Sequence, residues 1–384
     1  MHINNLDNCY GCHACKYICP KNAIVMNYND EGFLYPTINE NKCVNCGMCL
    51  RVCPKDKTEV NIENFNQTFY WAKDKKIESR LKSQSGGVAA LLTEYILNKG
   101  GVSYCCVVNS DFKVEHIRII SKLDINMTRG SKYVQSDIST IYDSLESDIC
   151  NLNGKPILIV GTPCQISGIK SWMNQLNISY HNLYFIDLIC HGVGSPIMWR
   201  DYIDYIKAKK RIETVNFRDK GFGWSSHTES YTYRKNKFFS KGFTSILHTD
   251  LAFRKSCGLC KYANYVRVSD LTIGDFWGYK NIGIAYDPYG ISEVIINTDK
   301  GNEIFNEIKN SLIFKSITKE QGVQHNLLKP TEVDNSKRNT LFEVYKKEGF
   351  QGVKIRYSKD FTKLEYLKKK IQYIYKAFKR VLMK

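Results

Sequence analysis

Apolar positions change their period several times along the 384-residue chain, and each change predicts an element. Residues 88–97 repeat at helical spacing, 102–108 form a short β-branched run, and 114–120 alternate as a strand does. Residues 157–160, a turn, a helical stretch at 165–176 and a second strand at 183–189 predict a β-α-β unit, and with it a parallel sheet. Residues 226–233 and 237–243, separated by Arg-Lys-Asn, predict a hairpin, while 293–297 followed by 303–308 repeats the strand-then-helix theme. Near the end, Leu364, Leu367, Ile371, Ile374, Phe378 and Val381 recur at three- and four-residue steps with lysines on the other face. That is a basic amphipathic helix, and its pattern fits two fates equally: docking on a membrane surface or a partner, or packing on its own domain.

The first 60 residues follow another rule. Cys9, Cys12, Cys15 and Cys19 precede Pro20, and Cys43, Cys46, Cys49 and Cys53 precede Pro54, each 34 residues after its counterpart. In this spacing three close thiolates wrap one face of a 4Fe-4S cube, and the fourth serves the other cluster. Cys9, Cys12, Cys15 and Cys53 are expected to hold one cluster, and Cys43, Cys46, Cys49 and Cys19 the second. Structural zinc would instead favour separated pairs and leave a thiolate of each run unused. The fold expected is an α+β ferredoxin-like module at 1–60, a polar linker at 61–80 with one strand near 69–72, a mixed α/β domain with a partly parallel sheet at 81–330, and a basic helical tail at 331–384.

Fifteen cysteines in a short secreted chain would imply disulfides, but this one opens directly into its cysteine cluster, with no leader pattern and no apolar run long enough to span a bilayer. A cytoplasmic protein with reduced thiols is expected, with attachment at the inner face of the membrane as the role of the terminal helix if it docks there. The formal charge of +17 suits an anionic surface or an acidic partner. No nucleic-acid reading motif accompanies that charge, so a nucleic-acid partner is not expected.

A second set of chemical residues lies deeper in the chain. Cys164 in VGTPCQISG and Cys190 in LICHGVGSP each fall just past a predicted strand, at the sheet edge where α/β sites form, and Cys257 and Cys260 share a Gly-containing loop. The four could hold a third cluster, but redox thiols, zinc ligands or plain core remain open on spacing alone. Cys105, Cys106 and Cys150 have no such company and are expected to be structural. For a flavin or nucleotide phosphate, Ser83, Ser85, Gly86 and Gly87 open an apolar helix whose free N–H groups could face a pyrophosphate, although a simple Ser N-cap fits equally. Arg129, Gly130, Ser131 and Lys132 are a second phosphate candidate or a solvated loop. Asp270, Asp275 and Trp277 add a buried-looking polar element that spacing cannot assign.

SQSGG, RGSKYVQS, GTPCQISG, CHGVGSP, FRDKGFGW, CGLC and TIGDFWG occur in this order, and with them the chain resembles the coenzyme F420 hydrogenase/dehydrogenase beta subunit family over about residues 83–330. The resemblance implies FAD in the α/β domain and a 4Fe-4S cluster at Cys164, Cys190, Cys257 and Cys260. It implies an iron-sulfur flavoprotein oxidoreductase in which electrons pass between clusters and FAD, and on to a deazaflavin or another organic acceptor. Relatives with this layout are also linked to surface-polysaccharide synthesis, which would make the small-molecule acceptor a glycan precursor. The alternative is a non-catalytic relay subunit joining a redox partner protein, or a ferredoxin, to another centre.

Overall fold

The computed structural model describes residues 8–55, 66–179, 181–234 and 236–382, with side-chain surroundings as far as residue 376. The N-terminal segment carries α1 (Ala14–Tyr17), β1 (Ile24–Tyr28), β2 (Leu34–Ile38) and α2 (Met48–Val52). There follow β3 (Thr68–Asp74), α3 (Ile77–Lys82), α4 (Val88–Asn98), β4 (Val102–Val108), β5 (Val114–Ile119), α5 (Ile125–Thr128), α6 (Ser139–Asn151), β6 (Ile157–Gly161), α7 (Pro163–Gln175), β7 (Leu183–Leu188) and α8 (Pro196–Lys207). The chain then forms β8 (Thr214–Asn216), β9 (Glu229–Tyr233), β10 (Asn236–Ser240), α9 (Gly242–Leu247), β11 (Leu271–Asp275), β12 (Ser292–Ile296), α10 (Asp299–Ile308), β13 (Leu312–Ile317), α11 (Asn335–Tyr357) and α12 (Lys363–Leu382).

An eight-stranded sheet in the order β13-β3-β12-β11-β7-β6-β4-β5 forms the body. Its middle is parallel, with β4 beside β6, β6 beside β7 and β7 beside β11. Antiparallel strands flank that middle, β5 on one side and β12, β3 and β13 on the other. The expected mixed sheet is therefore present, with the β6-α7-β7 crossover at its centre. The apolar runs explain it: Ile157, Leu158, Ile159, Leu183, Phe185 and Ile186 are all buried, as strands covered on both faces must be.

Two expectations change. The strand expected near 69–72 forms as β3, but it sits inside the sheet between β12 and β13 with Phe69, Ala72 and Asp74 buried, and α3 follows it, so this stretch is part of the body. The basic helical tail expected at 331–384 begins with α11, whose Leu341, Phe342, Tyr345, Phe350 and Val353 share a core with Phe33 of the N-terminal segment, so its first helix is part of the body. The predicted hairpin forms as β9 and β10, but its second arm ends at Ser240 and the chain turns into α9.

The N-terminal segment is a part of this body. Ala14, Ile18 and Val52 enter the core formed by α7 and β6. Arg338 of α11 grips Glu31 with two hydrogen bonds of 2.6 Å while buried itself.

Candidate redox site

Each cysteine run folds the same way. Gly11 and His13 in the first run, and their counterparts Asn45 and Gly47 in the second, adopt left-handed φ of 66°, 61°, 52° and 71°, which lets the chain reverse around three thiols before a single helical turn presents the fourth. Cys19, Cys43, Cys46 and Cys49 line one small cavity together with Pro20 and Gly47. The thiol of Cys15 is held well above its ordinary range, chiefly by burial and then by Cys12, Cys9, Cys53 and Cys49 beside it. The fourth cysteine of each run thus lies with the triplet of the other. Backbone N–H groups of Gly11 and Ala23 donate to the sulfurs of Cys9 and Cys19, both at 3.3 Å.

Cys164, Cys190, Cys257 and Cys260 line a second small cavity at the carboxyl edge of the parallel strands. Cys164 stands in the first turn of α7, after a Thr162 capping box and Pro163, and Cys190 lies two residues beyond β7. Burial pushes Cys164 up to about 12, Cys257 up to about 11 and Cys190 well above the thiol range, and the neighbouring thiols push the same way. Ionised, these four thiols would repel one another, and a polycationic iron cluster is a group that would offset that charge. No three His, Cys, Asp or Glu side chains among the described residues converge closely enough to hold a single ion.

The first cysteine run lies between the other two sets. Burial, then Cys9, Cys53 and Cys164, raise the Cys12 thiol, so Cys12 is near both its own set and that of the sheet edge. A Cβ placed on Gly168 of α7 would stand 2.6 Å from Cys12 Cβ and 2.7 Å from its sulfur. Helix α7 therefore carries Cys164 in its first turn and admits Cys12 about one turn later. Arg254, buried, donates from Nε to the carbonyl of Cys9 at 2.5 Å and from Nη2 to that of Leu34 at 3.0 Å. Ser256 adds a bond to the same Cys9 carbonyl at 3.1 Å. These contacts tie the loop of Cys257 and Cys260 to the first cysteine run.

A cavity of about 790 Å³ opens along the same sheet edge, within the size range of cofactor sites. Ser83, Ser85, Gly87, Arg129, Ser131 and Lys132 all line it, and Cys190 belongs to its wall as well as to that of the thiol-lined cavity. Gly86 does not line it. A Cβ there would meet the Ala72 carbonyl at 2.3 Å, so Gly86 serves the packing of the loop on β3. Gly87, at φ 91°, is the residue that turns the chain into α4.

Arg129 donates to Ser83 Oγ at 2.5 Å and to Ser79 at 3.0 Å, and its Nε is buried without a partner among the described residues. Lys132 caps three carbonyls, of Met127, Thr128 and Arg129, and burial lowers its pKa to about 8. Two fixed cations and the start of an apolar helix are suitable surroundings for a pyrophosphate.

Asp275 and Trp277, which the sequence marks without a role, line the same cavity together with Arg218. Arg218 pairs with Asp275 at 2.7 Å, Trp224 Nε1 donates to the same carboxylate at 2.7 Å, and the Trp224 and Trp277 rings stack at 4.7 Å. Arg218 and Trp224 went unnamed in the sequence, where their signal was the polar and aromatic content of FRDKGFGW. Asp270, by contrast, bonds Phe185 N and Thr298 Oγ1 and is structural. Cys105 and Cys106 also line the large cavity, while Cys150 is exposed on α6 and is no part of the core.

The N- and C-terminal models of the coenzyme F420 hydrogenase/dehydrogenase beta subunit match residues 69–142 and 154–321. The chain belongs to this family. A 4Fe-4S dicluster domain matches residues 8–57, so the chain is an iron-sulfur member of an oxidoreductase family. It is 25% identical to the coenzyme F420-dependent sulfite reductase of Methanocaldococcus jannaschii over 344 residues, 87% of this chain and 51% of that protein. The chain thus spans about half the length of this curated relative. A chain of the F420-reducing NiFe hydrogenase complex from Methanosarcina barkeri matches at 19% identity and a TM-score of 0.46, covering 74% of this chain and 89% of that one.

Proposed function

We propose that this family member is an iron-sulfur flavoprotein oxidoreductase, with cysteine sets for three 4Fe-4S clusters in a line that ends at a flavin cavity. Cys19, Cys43, Cys46 and Cys49 would hold the outer cluster, Cys9, Cys12, Cys15 and Cys53 the middle one, and Cys164, Cys190, Cys257 and Cys260 the inner one. The observation that carries this reading is Cys190, which lines both the inner thiol cavity and the large cavity. FAD bound in the large cavity would supply the exchange of single electrons for a hydride, which it passes to or takes from an organic acceptor such as a deazaflavin.

The chain's own residues set the terms of that exchange. Gly87 keeps the entrance to α4 free of a side chain, and Arg129 and Lys132 hold positive charge at one part of the wall. The buried Arg218–Asp275 pair fixes Trp224 and leaves Trp277, 41% exposed, as a flat apolar surface on the wall. Cys46 is the exposed thiol of the outer set, and the redox partner protein would meet the molecule there.

Anaerobically purified holoprotein, reduced and then mixed with a deazaflavin, sulfite or a glycan precursor in turn, tests the reading. Enzyme activity predicts that one of them reoxidises the flavin over repeated turnovers. A pure relay predicts that only a protein partner does so.

A further inference from the structure

Helix α12 shows one side to the body and another to solvent. Tyr373 packs on Phe239 and Phe222 with ring centroids 4.8 and 5.4 Å away, Lys237 donates to its hydroxyl at 2.9 Å, and Lys376 donates to the Phe222 carbonyl at 3.1 Å. A Cβ on Gly221 would fall 1.9 Å from the Tyr373 ring, so that glycine admits the ring. Tyr366 and Lys369 point the same way, against Phe239 and Phe222. The docked set is 366, 369, 373 and 376. Two positions before each of these, Leu364, Leu367, Ile371 and Ile374 remain 62%, 55%, 60% and 58% exposed. At about 100° per residue the two sets lie on nearly opposite sides of the helix. Packing on its own domain therefore accounts for the aromatic side and leaves the apolar stripe without a partner.

We propose that this stripe docks the protein on an anionic membrane surface. Exposed Lys363 and Lys370 border the stripe on one side and Lys368 on the other. The acid on this stretch, Glu365, is engaged with Thr362 at the helix start. An apolar strip of one residue per turn between two rows of lysine matches the layered chemistry of a lipid interface: acyl chains take the leucines and isoleucines, and anionic headgroups meet ammonium groups that reach out along their stems. A second copy of the chain fits less well, because a two-fold contact along this stripe would set lysine against lysine. No helix among the described residues is long and apolar enough to cross a bilayer, so the attachment is peripheral.

Vesicle sedimentation of the full holoprotein tests this. The wild type should pellet with phosphatidylcholine vesicles containing phosphatidylglycerol, bind pure phosphatidylcholine far more weakly, and release as salt rises. Leu367→Ser with Ile371→Ser should weaken binding more than about ten-fold, with iron content and melting temperature unchanged because both positions are exposed. Lys368→Glu with Lys370→Glu should abolish the preference for anionic lipid. Wild-type protein left in the supernatant, or full binding by the serine variant, overturns the proposal. So does a molecular mass that halves in the serine variant without vesicles, since a second copy would then be what covers the stripe.

Discussion

Gly168 shows how a single missing methyl group couples two cysteine sets. It lies in α7 four residues after Cys164, and an added Cβ would overlap Cys12 at 2.6 and 2.7 Å. Since a ligated cysteine cannot swing aside, Gly168→Ala should displace Cys12 and lower iron from about twelve to about eight per chain. Iron analysis checks this, and unchanged iron would place Cys12 outside a cluster.

Lys132 allows a test by pH. Its pKa is lowered to about 8 by burial, so the side chain is charged below that pH and loses its proton as pH rises through it. If its charge holds a flavin phosphate, flavin affinity should fall about ten-fold or more above pH 8, and Lys132→Gln should show the weaker affinity at every pH. Fluorescence titration of released flavin measures both. At this scale the sequence announced the cysteines, because their spacing is itself the chemistry. It treated Gly86 and Gly87 alike, and only their neighbours, the Ala72 carbonyl for one and the open cavity for the other, tell them apart.

At the scale of elements, the loop bearing Cys257 and Cys260 is held by Arg267. Its guanidinium bonds Asp187 of β7 at 2.8 Å, the Leu188 carbonyl at 3.2 Å and the Tyr262 carbonyl at 2.8 Å, and the ion pair is almost fully buried. Arg267→Met would leave a buried carboxylate uncompensated, a loss of about 3–5 kcal/mol. The expected result is a melting temperature lower by several degrees and loss of the inner cluster before the outer two, read by calorimetry and by iron content during mild heating. An unchanged melting temperature would contradict the role of this pair. Strands β4, β6 and β7 and helices α4 and α7 were legible because each buries a continuous run or one clean face. Strand β3 was legible as a strand but not as a member of the main sheet, because its pairing with β12 and β13 lies more than 200 residues later in the chain. Nothing local to residues 69–72 carries that placement.

Over the whole molecule, the N-terminal segment is fixed on the body by Arg254, Arg338 and the core of Ala14, Ile18 and Val52, which brings the first cysteine run beside that of the sheet edge. The duplication at 9–19 and 43–53 made two of the sets legible. As an assembly the third rested on the family resemblance and was left open by spacing, because Cys164, Cys190 and the 257–260 pair meet only through the parallel order of β6 and β7 and the anchoring of one loop. Iron and acid-labile sulfide counted per chain in anaerobically purified protein, wild type beside Cys164→Ser, Cys190→Ser, Cys257→Ser and Cys260→Ser, test this account most directly. Three clusters predict about twelve of each in the wild type and about eight in every one of the four variants. A wild type with about eight, or four variants that keep the full wild-type count, would contradict it.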